Sequence, residues 1–485
     1  MSLLADKHRR NPTPTIVALQ VPTNGDTARV YVFDNDEKNP QDHMAMARRK
    51  DLFHCLCSMF ATFSFGIMLG WPASTYPNLL DPIYTTYPFD PQGNFTIPSN
   101  PDAPLPQPFL VTFVQSPLIA GLLMVGVIVA TPFSSHPYTI YSIKHGLLIT
   151  LLAMVLGWFV MWQASNIFHL MISRFIIGLA NGYAVGQIKV YIQHSSLAPR
   201  SKSLMSKMLN IMMLAGVTCA YVMGIWLDFE GFSIGALVIT TAFYILTYFL
   251  PLGDLGDSKI QFIERVPERV EPGGYRVGDG ILTLFRTPHL KRSTWLLVIV
   301  TFIQQFSGAP ATIVYSQVLL LNMGLPPPSV PYCAVIYLLC YILAYVLGLF
   351  YFCTLSYTKK RALLLFSMVT SILALVLIIM ILHLDLRQTH VYIPLVGMCL
   401  FIFFYGIGLG SIPPSFVEHL FDPQWRNCAG ELQLLCFSLF AIIITKLLQV
   451  FIGEFPLEYA FVLYTCVATA GIPFVLLCLP KKPPH

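Results

Sequence analysis

Charged residues are scarce in this sequence of 485 residues. Lysine, arginine, aspartate and glutamate make up 11% of it, whereas a soluble domain carries about 25%. Hydrophobic residues make up 55%, and the formal net charge is only +5. The small net charge gives no reason to expect a nucleic-acid partner. The composition argues against a soluble globular protein and predicts a chain that crosses a lipid bilayer several times.

The patterns that carry catalysis are also missing from the sequence. It contains no metal-ligand cluster, no glycine-rich phosphate loop and no nucleophile spaced to meet a base. We therefore expect no catalytic residue, no metal, no cofactor and no enzymatic activity.

A disulfide framework is not expected, although the chain has eleven cysteines. All of them fall in or beside apolar runs, and none lies in the long polar segments. Buried cysteines of this kind pack as small hydrophobic side chains. We predict that they fill space between helices.

Long apolar runs dominate what remains, and a bilayer core needs about 20 apolar residues per helix. Six runs precede a polar segment and six follow it, near 53–77, 109–133, 141–164, 167–192, 204–227, 232–251, 293–321, 328–354, 361–384, 390–416, 428–452 and 458–479. The pattern predicts an all-α membrane protein with twelve transmembrane helices in two six-helix bundles.

The predicted organisation divides the chain into five parts. These are a cytosolic tail (1–51), an amino-terminal bundle (52–251) with an extracellular loop at 78–108, a cytosolic linker (252–292), a carboxyl-terminal bundle (293–480) and a short cytosolic tail (481–485). The first part is polar and basic and does not resemble a cleavable signal peptide. A binding site is expected between the two bundles, near mid-membrane.

Lysine and arginine predict the orientation, because cytosolic loops are enriched in them. They concentrate in the amino-terminal tail, the linker, "TKKRA" (358–362) and the last residues, whereas the opposite loops contain only Arg387. Both termini are therefore predicted to be cytosolic, in a multi-pass protein of the plasma membrane. The triplet "NFT" places a possible glycosylation acceptor, Asn94, in the first extracellular loop.

Two adjacent glutamines stand out in "FIQQFSGAPATIVYS" (302–316), within the seventh run. An unsatisfied amide in hydrocarbon costs about 2–7 kcal/mol, so Gln304 and Gln305 must face protein, water or a polar ligand. An amide offers both donors and an acceptor, as a sugar hydroxyl does. The alternative is that they bond neighbouring helices to one another.

Several motifs, in order, resemble one family. They are "FSFGIMLGWPAS" in the first run, "SRFIIGLANGYAVGQIKVYI" in the fourth, "QQFSG" in the seventh and "GLGSIPPSFVEHLF" in the tenth. The chain resembles a sugar porter of the major facilitator superfamily, similar to insect facilitated trehalose transporters, over about 50–480. The resemblance implies the major facilitator fold and transport of a sugar or polyol by alternating access. First-helix "FGIMLGW" lacks the aspartate typical of proton-driven relatives, so facilitated transport is expected.

The resemblance also implies which side chains contact the solute. Gln304 and Gln305 are the first candidates, followed by Asn210, Tyr315 and Tyr221. The last of these replaces a family glutamine. Gly308 and Pro310 are candidates for gating, because they are expected to bend the seventh helix. Pro310 stands where the family has an asparagine.

The cytosolic face departs from the family, whose acidic residues there pair with arginines. Histidines stand at three of the acidic positions, namely His136, His194 and His419, while Arg361 and Arg426 remain. Together they are candidate gating residues. Loss of the pairs predicts a bias toward the inward-open state. The histidines suggest either pH-dependent gating or neutral drift.

Two rival functions remain open from the sequence. The chain could be a transport-incompetent relative that acts as a nutrient receptor or interaction protein. It could also carry a less polar solute, because Pro414, Phe437 and Ser438 replace polar or aromatic family residues.

Overall fold

The computed structural model of the chain describes residues 40–80, 111–133, 143–194, 199–249, 279–352, 357–385, 391–422 and 425–480. Within these ranges the secondary structure is helical apart from short turns and one isolated pairing of Leu80 with Val111. The prediction of an all-α protein is confirmed.

In the described ranges, the amino-terminal half has six helices, each of which carries one of the predicted apolar runs. They are α1 (Pro40–Leu79), α2 (Ser116–Ala130), α3 (Ile143–Trp162), α4 (Ile167–His194), α5 (Pro199–Trp226) and α6 (Phe229–Phe249).

The carboxyl-terminal half contains more helices, because some of its spans are interrupted. They are α7 (Asp279–Arg286), α8 (Pro288–Phe306), α9 (Ala309–Val314), α10 (Ser316–Asn322), α11 (Val330–Phe352), α12 (Tyr357–His383), α13 (Ile393–Ile407), α14 (Phe416–Leu420), α15 (Arg426–Glu454) and α16 (Glu458–Leu477).

These helices reproduce the twelve-span pattern. Ten segments in the described ranges are long and apolar enough to cross a membrane. The shorter apolar α13 and the 40-residue α1 supply the other two spans. The seventh span is built from α8, α9 and α10 in succession.

Two local features differ from the sequence-based expectation. The predicted linker contains a helix at its end, α7, which packs against α8 and α15. The α-helix of the tenth span stops at Ile407, and the chain continues through turns and a short 3₁₀ helix (Pro413–Ser415) to α14. Glycine at 408 and 410 and proline at 413 and 414 account for this, because neither residue type supports a regular helix.

Glycines allow the spans of the amino-terminal bundle to approach closely. A Cβ on Gly66 of α1 would overlap the backbone oxygen of Met213 on α5, and a Cβ on Gly216 would overlap that of Phe63. The two glycines thus face each other across one crossing, as small residues do in membrane helix pairs.

The two halves meet along three pairs of spans. α1 packs against α9 and α10, α2 packs against α15, and α5 packs against α11. We call the end of the molecule where α1 begins and α16 ends the proximal end, and the opposite end the distal end. The interrupted seventh span therefore lies in the middle of the contact between the bundles.

Candidate functional site

The seventh span is broken next to the two glutamines. α8 ends at Phe306, and Gly308 adopts a left-handed conformation with φ 95° before α9 begins. A side chain at Gly308 would overlap the ring of Tyr464 from α16. Pro310 occupies the first turn of α9, where a backbone N–H has no helical partner in any case. The expected bend beside Gly308 is present, and the proline starts a new helix rather than disrupting an existing one.

Gln304 is only half satisfied by the protein. Its side-chain nitrogen donates to the backbone oxygen of Gly410 at 2.9 Å, where the tenth span has lost its helix. Its side-chain oxygen is buried and has no hydrogen-bond partner in the described part of the chain. Tyr405 donates to the Gln304 backbone oxygen at 3.2 Å. One end of the amide therefore bonds a neighbouring span, and the other remains available.

The side-chain amide of Gln305 has no hydrogen-bond partner within the described ranges. Its side chain is 0% exposed, and neither its amide nitrogen nor its amide oxygen makes a hydrogen bond there. Leaving a buried polar group unsatisfied costs about 1–3 kcal/mol. A water molecule or a bound ligand is needed to satisfy this amide.

Other unsatisfied hydroxyls occur on two of the helices that pack against α8. Ser438 lies on α15 and Tyr464 on α16, and their oxygens are buried without a partner among the described residues. Phe440, also on α15, packs against Phe302 and Phe306 with ring centroids 5.5 and 6.0 Å apart. The surroundings of α8 thus combine aromatic faces with groups that can donate and accept hydrogen bonds.

Tyr315 lies in a sealed contact between the bundles. Ser116 on α2 donates to the backbone oxygen of Phe113 at 2.8 Å, so its oxygen can accept from the Tyr315 hydroxyl at 2.7 Å. Tyr76 on α1 donates to the Ser116 backbone oxygen at 2.6 Å. All of these groups belong to the distal half of their spans.

Tyr221 makes the matching contact from α5. Its hydroxyl donates to the backbone oxygen of Ile313 and lies 2.7 Å from the Ser316 hydroxyl. We call the five residues Tyr76, Ser116, Tyr221, Tyr315 and Ser316 the distal closure. Solute contact by either candidate tyrosine stays a prediction, since both hydroxyls are engaged while this closure is shut. Asn210 is half-buried on α5, and its predicted role is likewise untested.

The candidate gating arginines contact backbone oxygens of their own half. Arg361 donates to the carbonyls of Val475 and Leu476, at 3.0 and 2.7 Å, at the end of α16. Arg426 donates to Phe421 at 3.2 Å. Carbonyls at a helix end lack helical partners, so Arg361 caps α16 in this conformation.

His419 lies beside cations at the proximal end. Its Nε2 is 3.0 Å from the Lys360 ammonium. Burial, Lys360 and Arg426 lower the pKa of His419 from 6.5 to about 4. The ring is therefore neutral at physiological pH in this conformation, and pH-dependent gating by the histidines stays a prediction.

Three candidates cannot be placed fully. Asn94 and His136 lie outside the described residues. His194 ends α4, but its side chain is outside the described part. Their predicted roles stay predictions.

Lys446 and Arg174, two of the cations within described spans, differ in their surroundings. Lys446 donates to Gln449 at 2.6 Å from an exposed position on α15, which suits a snorkelling lysine. Arg174 is 1% exposed, and its guanidinium carbon lies 5.3 Å from the centroid of the Trp71 ring.

The sequence reasoning missed the partners within the distal closure. Tyr76, Ser116 and Ser316 carry no motif that separates them from other hydroxyl residues in apolar runs. Their hydrogen bonds join residues 40, 95 and 199 positions apart in the sequence, and no local pattern reports such contacts. It also missed Gly410 as the acceptor for Gln304, although the glycines of the tenth span pointed to exposed backbone there.

The chain belongs to a transporter family. It matches the family described as "Sugar (and other) transporter" over residues 52–252 and 270–482. It is a multi-pass membrane protein with the major facilitator fold.

Characterised relatives are distant in sequence. The glucose transporter GlcP of Staphylococcus epidermidis is 20% identical over 75% of this chain and 85% of its own length. The facilitated trehalose transporter Tret1 of Apis mellifera ligustica is 21% identical over 70% of this chain and 71% of its own. The mouse solute carrier family 2 facilitated glucose transporter member 6 is 21% identical over 70% of this chain and 74% of its own length.

Solved structures confirm the fold. The crystal structure of a D-xylose-proton symporter aligns with a TM-score of 0.66 at 13% identity, covering 89% of this chain and 98% of that one. The inward-open xylose transporter XylE from E. coli aligns with a TM-score of 0.63 at 14% identity, covering 89% of this chain and 96% of that one.

Proposed function

We propose that this protein is a facilitative carrier of a sugar, trehalose or a hexose, that works by alternating access between the two bundles. Membership of the sugar transporter family supports transport of a small molecule rather than catalysis. The relatives above are named as carriers of glucose and of trehalose, which supports the sugar class for this chain.

The observation that carries the proposal is the unsatisfied amide of Gln305. It is fully buried beside the break between α8 and α9, where the two bundles meet. A sugar hydroxyl both donates and accepts, so adjacent hydroxyls can satisfy both ends of such an amide. The open side-chain oxygen of Gln304 and the hydroxyls of Ser438 and Tyr464 offer further contacts.

We assign the distal end to the extracellular side and both termini to the cytosol of a cell whose plasma membrane holds the carrier. The bias of lysine and arginine toward the proximal loops supports this orientation. It places Asn94 outside the cell as a glycosylation acceptor. In this orientation the described conformation has its extracellular closure shut.

Uptake of radiolabelled trehalose and glucose tests the function, in cells expressing the chain at a surface level that is measured separately. Gln305→Ala should abolish saturable uptake, because it removes the buried amide without adding volume. Gln449→Ala is the matched control: this glutamine is also 5% exposed or less, but it bonds Lys446. The control should retain most uptake.

Three results would contradict the proposal. Uptake that is unchanged in Gln305→Ala would show that this amide does not bind the solute. Sugar binding without flux would favour the receptor role, and flux without sugar competition would favour a less polar solute.

A further inference from the structure

Arg174 is a buried cation on α4 with few partners. One guanidinium nitrogen lies 3.3 Å from the Met68 backbone oxygen and 3.7 Å from the Met68 sulfur, both on α1. The guanidinium also lies over the Trp71 ring. Its Nε has no hydrogen-bond partner in the described part of the chain. These contacts satisfy only part of a group with five donors.

The charge of Arg174 cannot be relieved by losing a proton, because arginine stays protonated in proteins. Among the described residues, no carboxylate lies within ion-pair distance of Arg174. An unpaired buried charge is strongly unfavourable. A neutral carbonyl, a thioether and an aromatic face leave the positive charge uncompensated.

Two other donors on α1, the helix that supplies Met68, are also unsatisfied. Ser64, Met68 and Trp71 share one face of α1, since residues four and three apart lie above one another on a helix. The Ser64 hydroxyl and the Trp71 indole nitrogen are both buried without a partner in the described ranges. Both residues are 0% exposed, and Arg174 is 1% exposed. A positive charge is therefore accompanied by donors that lack acceptors.

We propose that Arg174 binds a small monovalent anion between α1 and α4, with Ser64 and Trp71 as additional donors. An anion supplies what this set lacks, namely negative charge and several acceptor sites at once. Inorganic chloride and the carboxylate of a small organic solute share this chemistry. The site is distinct from the glutamines of α8, so it does not depend on which sugar the carrier takes.

Thermal unfolding of the purified full-length protein in detergent tests the site. The unfolding midpoint is compared in sodium chloride and in sodium isethionate, a bulkier monoanion, at constant ionic strength. Chloride should raise the midpoint by a few degrees and do so saturably, because a ligand that binds only the folded state stabilises it. A series with sodium acetate separates the two sources: acetate that competes with chloride indicates a carboxylate, whereas an effect of halides alone indicates an inorganic ion.

Variants at Met68 make the test specific. Met68→Asp places a carboxylate next to Arg174 and should abolish the chloride effect while the protein stays folded. Met68→Leu keeps an uncharged side chain of similar size and should preserve the effect. Arg174→Gln should also abolish the chloride effect. If Arg174→Gln fails to fold, Met68→Asp still tests the site. Equal midpoints in chloride and isethionate, or a chloride effect that persists in Met68→Asp, would overturn the proposal.

Discussion

A half-buried imidazole between two cations behaves differently from a carboxylate at the same position. His419 is neutral above its pKa of about 4, while Lys360 lies 3.0 Å away. A neutral ring can accept a hydrogen bond from the ammonium, but it adds no negative charge. The proximal end therefore has one attractive ion pair fewer than a glutamate would give it.

The lowered pKa predicts how stability depends on pH. The unfolded imidazole binds a proton near pH 6.5, and the folded one only near pH 4. The unfolded state is thus favoured as pH falls from 6.5 toward 4, and the contribution of His419 is fully present above that range. The unfolding midpoint of the wild type should drop between pH 7.5 and 4.5 more than that of His419→Gln.

The same pKa predicts that sugar uptake does not follow His419 between pH 5.5 and 7.5. His419→Gln should leave the shape of the uptake profile unchanged in that interval. A wild-type transition near pH 6.5 that disappears in the variant would contradict this prediction.

At the scale of elements, the broken seventh span depends on one glycine. Gly308 has φ 95°, and its missing side chain leaves room for Tyr464. Alanine in the left-handed region costs about 1–2 kcal/mol, and the overlap with the tyrosine ring adds to that. Gly308→Ala should lower both the unfolding midpoint and the uptake rate. Gly324→Ala is the control for backbone strain alone, since Gly324 has φ 89°, and it should cost less.

The crossing of α1 and α5 gives a second element-scale prediction. Gly66→Ala forces the helices apart, because the new Cβ would overlap backbone that cannot rotate away. We expect a loss of about 1–3 kcal/mol, as for overpacked cores. Gly121→Ala on α2 is the matched control, since its Cβ would lie 3.4 Å from a flexible Ile442 side chain. Equal losses in the two variants, measured by thermal unfolding, would argue against close packing at the crossing.

The elements were largely predictable from the sequence, whereas their contacts were not. Apolar runs predicted that the spans exist but fixed their ends unevenly. The run at 458–479 became α16 at 458–477, whereas the run at 109–133 became α2 at 116–130. Gly308 and Pro310 predicted a bent seventh span, because proline and glycine constrain backbone locally. The hydrogen bond from Gln304 to Gly410 and the contact of Tyr315 with Ser116 join distant segments. Such pairs depend on how spans pack, and hydrophobicity alone does not specify that.

At the scale of the whole molecule, the distal closure holds the two bundles together through hydroxyl groups. Ser116 meets Tyr315 across the interface, and Tyr221 meets Ser316. With the proximal carboxylates of the family replaced, we propose that this carrier favours the state in which its distal end is shut. Removing one closing hydroxyl should shift the balance toward the other state.

Cysteine labelling measures that shift. A cysteine at Gln317, which is 2% exposed in the closed distal end, should react slowly with an impermeant thiol reagent when the exposed Cys466 and Cys478 are replaced. Tyr315→Phe removes a hydrogen bond worth about 1 kcal/mol, so labelling should be roughly five-fold faster. Tyr332→Phe, at an exposed position on α11, should leave the rate unchanged. A rate equal in both variants would mean that the Tyr315 hydroxyl does not hold the closure.

The chemistry of the distal closure bears on how the membrane potential acts on this carrier. Its five side chains are uncharged, so parting them moves no elementary charge through the electric field. Each charge moved across the bilayer would add about 2.3 kcal/mol per 100 mV, and a neutral sugar adds none. Opening of this end should therefore be electrically silent, and uptake should run at the same rate in polarised and depolarised cells.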